Sequence, residues 1–292
     1  MASFAEQKTA IRKRFEFIEF QLAWEGRLQR KQLQDQFEIS PQQATIDLGE
    51  YSAAYPENMV YDPRQRAYVR GVNFVPKLTE SDVSEYLVHL EMLGQGYREE
   101  SEVWPVNVPE FDMVKVRSRP ISPKTFRLVL SAIRRGECLR ARYVSLSSGN
   151  ESFRALRPHA IASDGHRWHV RAFDYEKQRY SDFVLSRLEA KGLIEAPIGE
   201  VADDHDWDTV VQLILIADPE LPEPRRQRLE AEYRMRNGLL RLKVRQAMLF
   251  YYLRFFGFNP HDQEDGLMRN MSSFHLKVSN LEEVETWLGR RI

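Results

Sequence analysis

Near the start of the chain, apolar residues recur at helical spacing. Ile11, Phe15, Ile18 and Leu22, with Lys8, Arg12, Lys13 and Glu16 between them, predict a helix over residues 4–24 that Gly26 breaks. A shorter helix is predicted over 29–37, with Leu33 and Phe37 inward. Glu38-Ile39-Ser40 makes a turn. Ser40-Pro41 then opens a third helix, Ser as N-cap and Pro at the first helical position. That helix runs to about Ala53, with Ala44, Ile46 and Leu48 as its expected buried positions. Helix, three-residue turn, helix is the geometry of a helix-turn-helix. Two strand-like runs follow, Met59–Tyr61 and Ala67–Arg70, joined by Asp62-Pro63-Arg64-Gln65-Arg66. They predict a hairpin with Arg64 and Arg66 at its tip.

Farther on the period falls to two. Leu139–Ser145, Phe153–Ile161, Trp168–Phe173 and Phe183–Leu188 read as short strands. Ser147–Asn150 and Asp164-Gly165 supply turns, and such closely spaced strands suggest a small antiparallel barrel or sandwich. Between the hairpin and these strands lies a connector, 77–119. It has an acidic helix start at Thr79-Glu80-Ser81-Asp82, an apolar face over Val83–Leu93 and a strand over Val114–Val116. A helix over Lys124–Arg135, opened by Ser122-Pro123 and ended at Gly136, leads into the strands. After them comes an acidic stretch, 196–208, then alternating strand and helix signals over 209–292 in a βαββαβ-like order. In that last part Phe250, Tyr251, Tyr252, Leu253, Phe255 and Phe256 are too apolar to stand in water. Core packing accounts for most of them and a dimer seam for the excess.

Charge changes the picture in one place. The whole chain of 292 residues is near neutral at −1, but residues 120–195 hold 14 Lys and Arg against 8 Asp and Glu. Arg154, Arg157, His159, His169, Arg171 and Arg187 fall within the predicted strands, where cations must be solvated, paired or used. An anion receptor fits, because Arg forks match phosphate and carboxylate oxygens. A merely solvated Arg-rich sheet face fits the same count. Residues 1–76 are balanced, with 10 Lys and Arg and 10 Asp and Glu.

Arg154-Ala155-Leu156-Arg157-Pro158-His159-Ala160-Ile161, followed by Asp164-Gly165-His166-Arg167-Trp168-His169-Val170-Arg171-Ala172-Phe173-Asp174, resembles the core of a WYL domain. Trp168-His169-Val170 stands where that family's Trp-Tyr-Leu triplet falls, with His and Val in place of Tyr and Leu. This form resembles WYL repressors that sit beside phage-defence systems of the BREX and CBASS kinds. Ile39–Leu48 is similar to the recognition segment of bacterial winged-helix repressors, and residues 209–292 resemble the extension that follows WYL domains and swaps across a dimer. The resemblance implies an Sm-like, SH3-like five-stranded barrel that binds a ligand and controls an attached DNA-binding domain.

The expected fold is therefore an α+β multidomain chain. It comprises a winged helix-turn-helix over 1–76, a helical connector over 77–119, a WYL ligand-sensing β-barrel over 120–195, an acidic linker over 196–208 and a βαββαβ-like C-terminal dimerisation domain over 209–292. Candidate DNA-binding residues are Ser40, Gln42, Gln43, Thr45, Arg64 and Arg66: amides read adenine edges, hydroxyls take phosphates or bases, and arginines hold the backbone or enter the minor groove. Candidate ligand-binding residues are Tyr143, Ser145, Arg154, Arg157, His159, His169, Arg171 and Arg187. Strand alternation puts Arg157 beside His159 and His169 beside Arg171. With Tyr143 free to stack on a base, the expected ligand is anionic, a nucleotide or single-stranded nucleic acid.

Other classes are excluded by what is missing. There is no Gly-rich phosphate loop, nucleophile elbow or HExxH, and no buried acid is expected to orient His159 or His169, so no enzyme and no cofactor are predicted. Asp203, Asp204, His205 and Asp206 could chelate a metal, but neighbours in sequence cannot all face one ion, and a solvated linker is expected instead. Cys138 is the single cysteine, no apolar run approaches the ~18 residues of a membrane span, and no signal peptide is evident, so a reducing cytoplasm is expected. The expected function is a homodimeric, ligand-responsive repressor on an inverted-repeat operator of double-stranded DNA. The alternative is a non-DNA regulator that uses its winged helix for protein contacts and its barrel for nucleic acid.

Overall fold

The computed structural model describes residues 4–79, 82–114, 119–144, 151–196, 201–264 and 267–289. The chain forms two compact units, residues 1–116 and 117–292.

In the first unit, α1 (Phe4–Phe20) runs on into a π-helical turn, Gln21–Glu25, and Gly26 ends it in the left-handed conformation at φ 73°. β1 (Arg27–Leu28), α2 (Arg30–Phe37) and α3 (Pro41–Ala54) follow. Ser40 caps α3 by accepting a hydrogen bond from the Gln43 N–H at 3.1 Å, and Pro41 fills the first turn. β2 (Met59–Asp62) and β3 (Ala67–Arg70) form the wing and pair with β1 in the order β1-β3-β2. Phe17, Ile18, Leu22, Leu33, Leu48 and Tyr51 make the core.

The connector belongs to this unit up to Val116. α4 (Val83–Gly94) is capped by Asp82, and Tyr86 stacks on Phe20. Trp104 closes the core against Phe17 and Phe20. Glu19 is fully buried. Its Oε1 accepts hydrogen bonds from the N–H groups of Lys77, Leu78 and Thr79 at 2.7–2.8 Å, and its Oε2 accepts one from the Tyr51 hydroxyl at 3.1 Å. A carboxylate can remain in an apolar interior only when its lone pairs are filled in this way.

The second unit opens with α5 (Pro123–Arg135), capped by Ser122 and ended by Gly136 at φ 66°. Five antiparallel strands follow: β4 (Cys138–Val144), β5 (Glu151–Ser163), β6 (Trp168–Asp174), β7 (Arg179–Val184) and β8 (Leu188–Ile194). Their order is β7-β6-β5-β4-β8. The two edge strands are joined only by the 3-10 turn Leu185–Arg187, which spans at most about 10 Å, so the sheet is forced to roll toward closure. The expected fourth run, Phe183–Leu188, straddles this turn. Leu139, Ala141, Leu156, Val170, Ala172 and Phe183 fill the inside against Val129 and Ala132 of α5. The expected Ser147–Asn150 turn, together with Ser145, and residues 115 and 116 of the expected strand at 114–116 lie outside the described residues.

A short helix, α6 (His205–Asp208), leads to β9 (Val210–Ala217), α7 (Glu223–Glu232), β10 (Leu240–Arg245), α8 (Leu249–Phe255), a small ribbon of β11 (Gln263–Glu264) and β12 (Leu267–Met268), β13 (Leu276–Val278) and α9 (Leu281–Leu288). The main sheet runs β10-β9-β13, all antiparallel. Its core takes Leu249, Leu253 and Phe256 of the aromatic-rich segment, whereas Tyr252 and Phe255 remain exposed.

Candidate DNA-reading surface and ligand-sensing face

α3 spends one face on the core. Ala44, Asp47, Leu48 and Tyr51, at i, i+3, i+4 and i+7, are buried. Gln42, Thr45 and Ile46 stand outside. The expectation that Ile46 is buried is corrected: it lies one helical position from the buried row and is 51 % exposed. Asp47, which no apolar pattern marks, is buried because Arg14 of α1 meets it with two hydrogen bonds, Nε to Oδ2 at 2.6 Å and Nη2 to Oδ1 at 3.1 Å. Gln43 does not project freely. Its amide donates to Asp47 Oδ1 at 2.9 Å, so it buttresses the buried pair. Ser40 is occupied as the cap. The Thr45 hydroxyl donates to the Pro41 carbonyl at 2.8 Å and accepts from Arg30 at 3.3 Å. At the wing tip Arg64 and Arg66 are exposed, and the Asp62 carboxylate holds the turn by accepting from the Arg64 N–H and the Gln65 amide.

In the rolled sheet the candidate ligand residues separate onto two faces. Tyr143 and Arg154 go with the inner face. Tyr143 packs edge-on against Phe183, and Arg154, buried, is tied to the buried Asp174. His169 and Arg171 point to the other face, beside Phe173. Arg157 is half-buried on that side, paired in register with Phe173. The pairing of β5 with β6 slips between Pro158 and Ala160, so His159 is the extra residue of a β-bulge and is turned toward Arg171. Arg187 lies in the 3-10 turn instead of a strand.

What covers the outer face was not legible. Both faces of β6 are buried, although it carries His169 and Arg171. Part of the cover is Asp204, from the stretch expected to be a solvated linker; there the expectation is corrected, since Asp204 is 5 % exposed, whereas its neighbours Asp203 and His205 are exposed as expected. Its carboxylate sits in the Arg171 fork, with Nε to Oδ2 at 2.6 Å and Nη2 to Oδ1 at 2.9 Å, and against His159 Nε2 at 3.0 Å. The expectation of no buried acid beside the histidines is overturned with it. Burial alone would raise the Asp204 carboxyl; hydrogen bonds from His159 and Arg171 outweigh it and hold the group well below the usual carboxylate range. Arg171 also donates to Asp182 Oδ1 at 3.2 Å, and the Tyr251 hydroxyl of α8 donates to Asp182 Oδ2 at 3.1 Å. The Tyr251 ring lies 5.2 Å from that of His169, whose pKa burial lowers. Among the described residues no group of three or more His, Cys, Asp or Glu is arranged to hold a metal, and no helix is long and apolar enough to cross a membrane.

Family models match three stretches of the chain. They are the winged helix-turn-helix domain of the BrxR transcriptional regulator over residues 10–92, the WYL domain over 124–191, and the C-terminal dimerization domain of the BrxR transcriptional regulator over 210–284. The DNA-binding transcriptional repressor CapW of Stenotrophomonas maltophilia is 34% identical over 277 residues, which cover 94% of this chain and 91% of that one. CapW of Pseudomonas aeruginosa is 30% identical over 278 residues, covering 94% and 90%. Among solved structures, proteasome accessory factor B/C of Arthrobacter aurescens aligns with a TM-score of 0.31 at 18% identity, over 97% of this chain and 46% of that one, too loosely to bear on fold or function. Matched from winged helix through WYL domain to dimerization domain, and across nearly all of its length by CapW, the chain belongs to the BrxR and CapW family of transcriptional regulators.

Proposed function

We propose that this protein is a homodimeric DNA-binding repressor of a phage-defence operon, acting in the cytoplasm and released or tightened by an anionic ligand. The winged helices of two protomers take the half-sites of an inverted repeat, since one winged helix buries too little surface for a selective complex. The observation that carries this reading is the division of α3. Its core face is fully used, and Gln42, Thr45 and Ile46 are presented outward beside a wing carrying Arg64 and Arg66. Gln42 and Thr45 supply hydrogen bonds to base edges, and Ile46 supplies apolar contact for a thymine methyl. Arg64 and Arg66 hold phosphates. On the sensor side, Arg157, His159, His169 and Arg171 share one face and form the ligand's seat. A nucleotide or single-stranded nucleic acid is the ligand class that suits them.

The neutral charge balance of residues 1–76 favours a second reading, in which the winged helix makes protein contacts. A gel shift with the upstream region of the protein's own operon separates the two. Retarded operator that survives excess unrelated DNA supports the repressor, and no shift at low salt overturns it.

A further inference from the structure

The outer face of the sheet holds a cation fork already filled by the chain itself. Asp204 meets Arg171 through both of its oxygens and His159 through one, the way a guanidinium and an imidazole hold a phosphate. Asp204 does not belong to the sheet. It lies in the segment that joins the sheet to the C-terminal domain, where the Tyr180 hydroxyl donates to the Ala202 carbonyl at 2.9 Å and Arg245 of β10 donates to the Trp207 carbonyl at 2.5 Å. Beside the fork a cavity of about 550 Å³ opens between β6, β7, this segment and α8, lined by Tyr180, Phe250, Tyr251 and His261. Asp182, Asp203, Asp204 and Asp206 face it, against Arg171 and Arg179 and beside His205 and His261. As arranged, the cavity wall repels anions, even though the sheet behind it is cationic. His169, buried two residues from Arg171, has an Nδ1 with no hydrogen-bond partner among the described residues.

We propose that Asp204 is an internal stand-in for the ligand's anionic group, and that the ligand is a terminal phosphate ester that displaces it. The inference rests on the sensor reading of this face. A tethered carboxylate acts at an effective concentration on the order of millimolar. A free carboxylate or a phosphodiester brings the same single charge and pays for its own immobilisation, so it does not win the fork. A phosphomonoester carries about −1.5 to −2 charges at neutral pH and three acceptor oxygens. Those oxygens suit the Arg171 fork and His159 together. Expelling Asp204 also reduces the carboxylates facing the cavity from four to three, and it unties the segment that leads into β9. Ligand binding and the position of the C-terminal domain are then coupled through one ion pair, which is how a ligand acquires different affinities for two states.

The test uses the full-length protein and its Asp204→Asn variant, titrated with inorganic phosphate, adenosine 5′-monophosphate, and single-stranded oligonucleotides with a 5′-phosphate or a 5′-hydroxyl. The Asn variant, relieved of the competitor, is expected to bind each phosphomonoester at least tenfold more tightly than wild type, and its melting temperature to rise more on phosphate addition. The 5′-hydroxyl oligonucleotide is expected to bind neither well. Response to the mononucleotide alone assigns a free nucleotide as the source, and response to the phosphorylated oligonucleotide alone assigns a strand end. Equal or weaker phosphomonoester binding by the variant, with wild type binding and Arg171→Met not, overturns the stand-in while leaving the sensor face in place. No phosphate-dependent effect in wild type or variant, with operator binding intact, overturns both. Should the variant fail to fold, hydrogen exchange in wild type decides: the Trp207 and Thr209 amides, bonded to the Asp204 and His205 carbonyls, are expected to lose protection when adenosine 5′-monophosphate or the 5′-phosphorylated oligonucleotide is added, and protection unchanged by both overturns the proposal.

Discussion

Arg14 and Asp47 face each other inside the winged helix, joined by two hydrogen bonds that fix α1 against the helix expected to read DNA. Both side chains are buried, so neither tolerates the loss of the other. Replacing Asp47 with Ala leaves a guanidinium in an apolar interior and is expected to cost about 3–5 kcal/mol. Urea denaturation of the variant checks this. A loss below about 1 kcal/mol would show that water reaches the site.

The same pair divides the α3 residues into two kinds. Gln42→Ala and Ile46→Ala are expected to weaken specific binding by about 1–3 kcal/mol while leaving non-specific binding unchanged. Arg64→Ala is expected to weaken all sequences alike and to lower the salt slope by about one. Gln43→Ala acts only through Asp47, so its effect is expected in thermal stability first. Fluorescence anisotropy on operator and scrambled DNA at several salt concentrations distinguishes these outcomes.

Arg171 is almost wholly buried among carboxylates, which changes what its removal does. Arg171→Ala strands Asp204 and Asp182 and is expected to destabilise the second unit by about 3–5 kcal/mol. Pairing it with Asp204→Asn is expected to recover a large part of that loss. A strictly additive double variant, measured by thermal denaturation, would mean that the two side chains do not interact.

Burial lowers the pKa of His169 and of His89. His169 meets Asp164, Asp182, Arg167, Arg187 and Tyr251, and burial still dominates. Below pH 6.5 the unfolded chain takes up protons that these folded histidines refuse. Their contribution is complete above about 6.5 and is lost as pH falls toward the lowered folded values. Asp204 behaves differently. Its folded pKa is depressed, so its contribution is complete above about 3.8 and disappears only in stronger acid. Stability falling between pH 7 and 5 is therefore expected to come from the histidines, and His169→Gln to flatten that slope. A slope unchanged in both His169→Gln and His89→Gln would contradict it.

Truncation after Pro197 removes the C-terminal domain with its exposed Tyr252 and Phe255. Light scattering is expected to show loss of the dimer. A stable dimer in the shortened chain would place the seam elsewhere.

Features fixed by neighbours in sequence were legible. The Ser40-Pro41 start, the Gly26 and Gly136 stops and the wing strands depend on residues within a turn of each other. Features fixed across distance were not. Asp47 finds Arg14 33 positions away, and Asp204 finds Arg171 33 and His159 45 positions away. No local pattern marks such carboxylates as buried, and composition makes each look like solvated surface. Ile46 was misplaced for the opposite reason: hydrophobicity suggested the interior, but helical phase gave that place to Asp47.

Glu19 decides where this chain can be divided. Its carboxylate needs the amides of residues 77–79, and the core beneath it needs Trp104 as a lid. A winged-helix fragment cut at residue 76 would thus leave the interior Glu19 carboxylate with the Tyr51 hydroxyl but without its three backbone donors, and the aromatic cluster uncovered, whereas one cut beyond Asn107 keeps the donors and the lid. The portable DNA-reading module is about thirty residues longer than its helices and wing suggest.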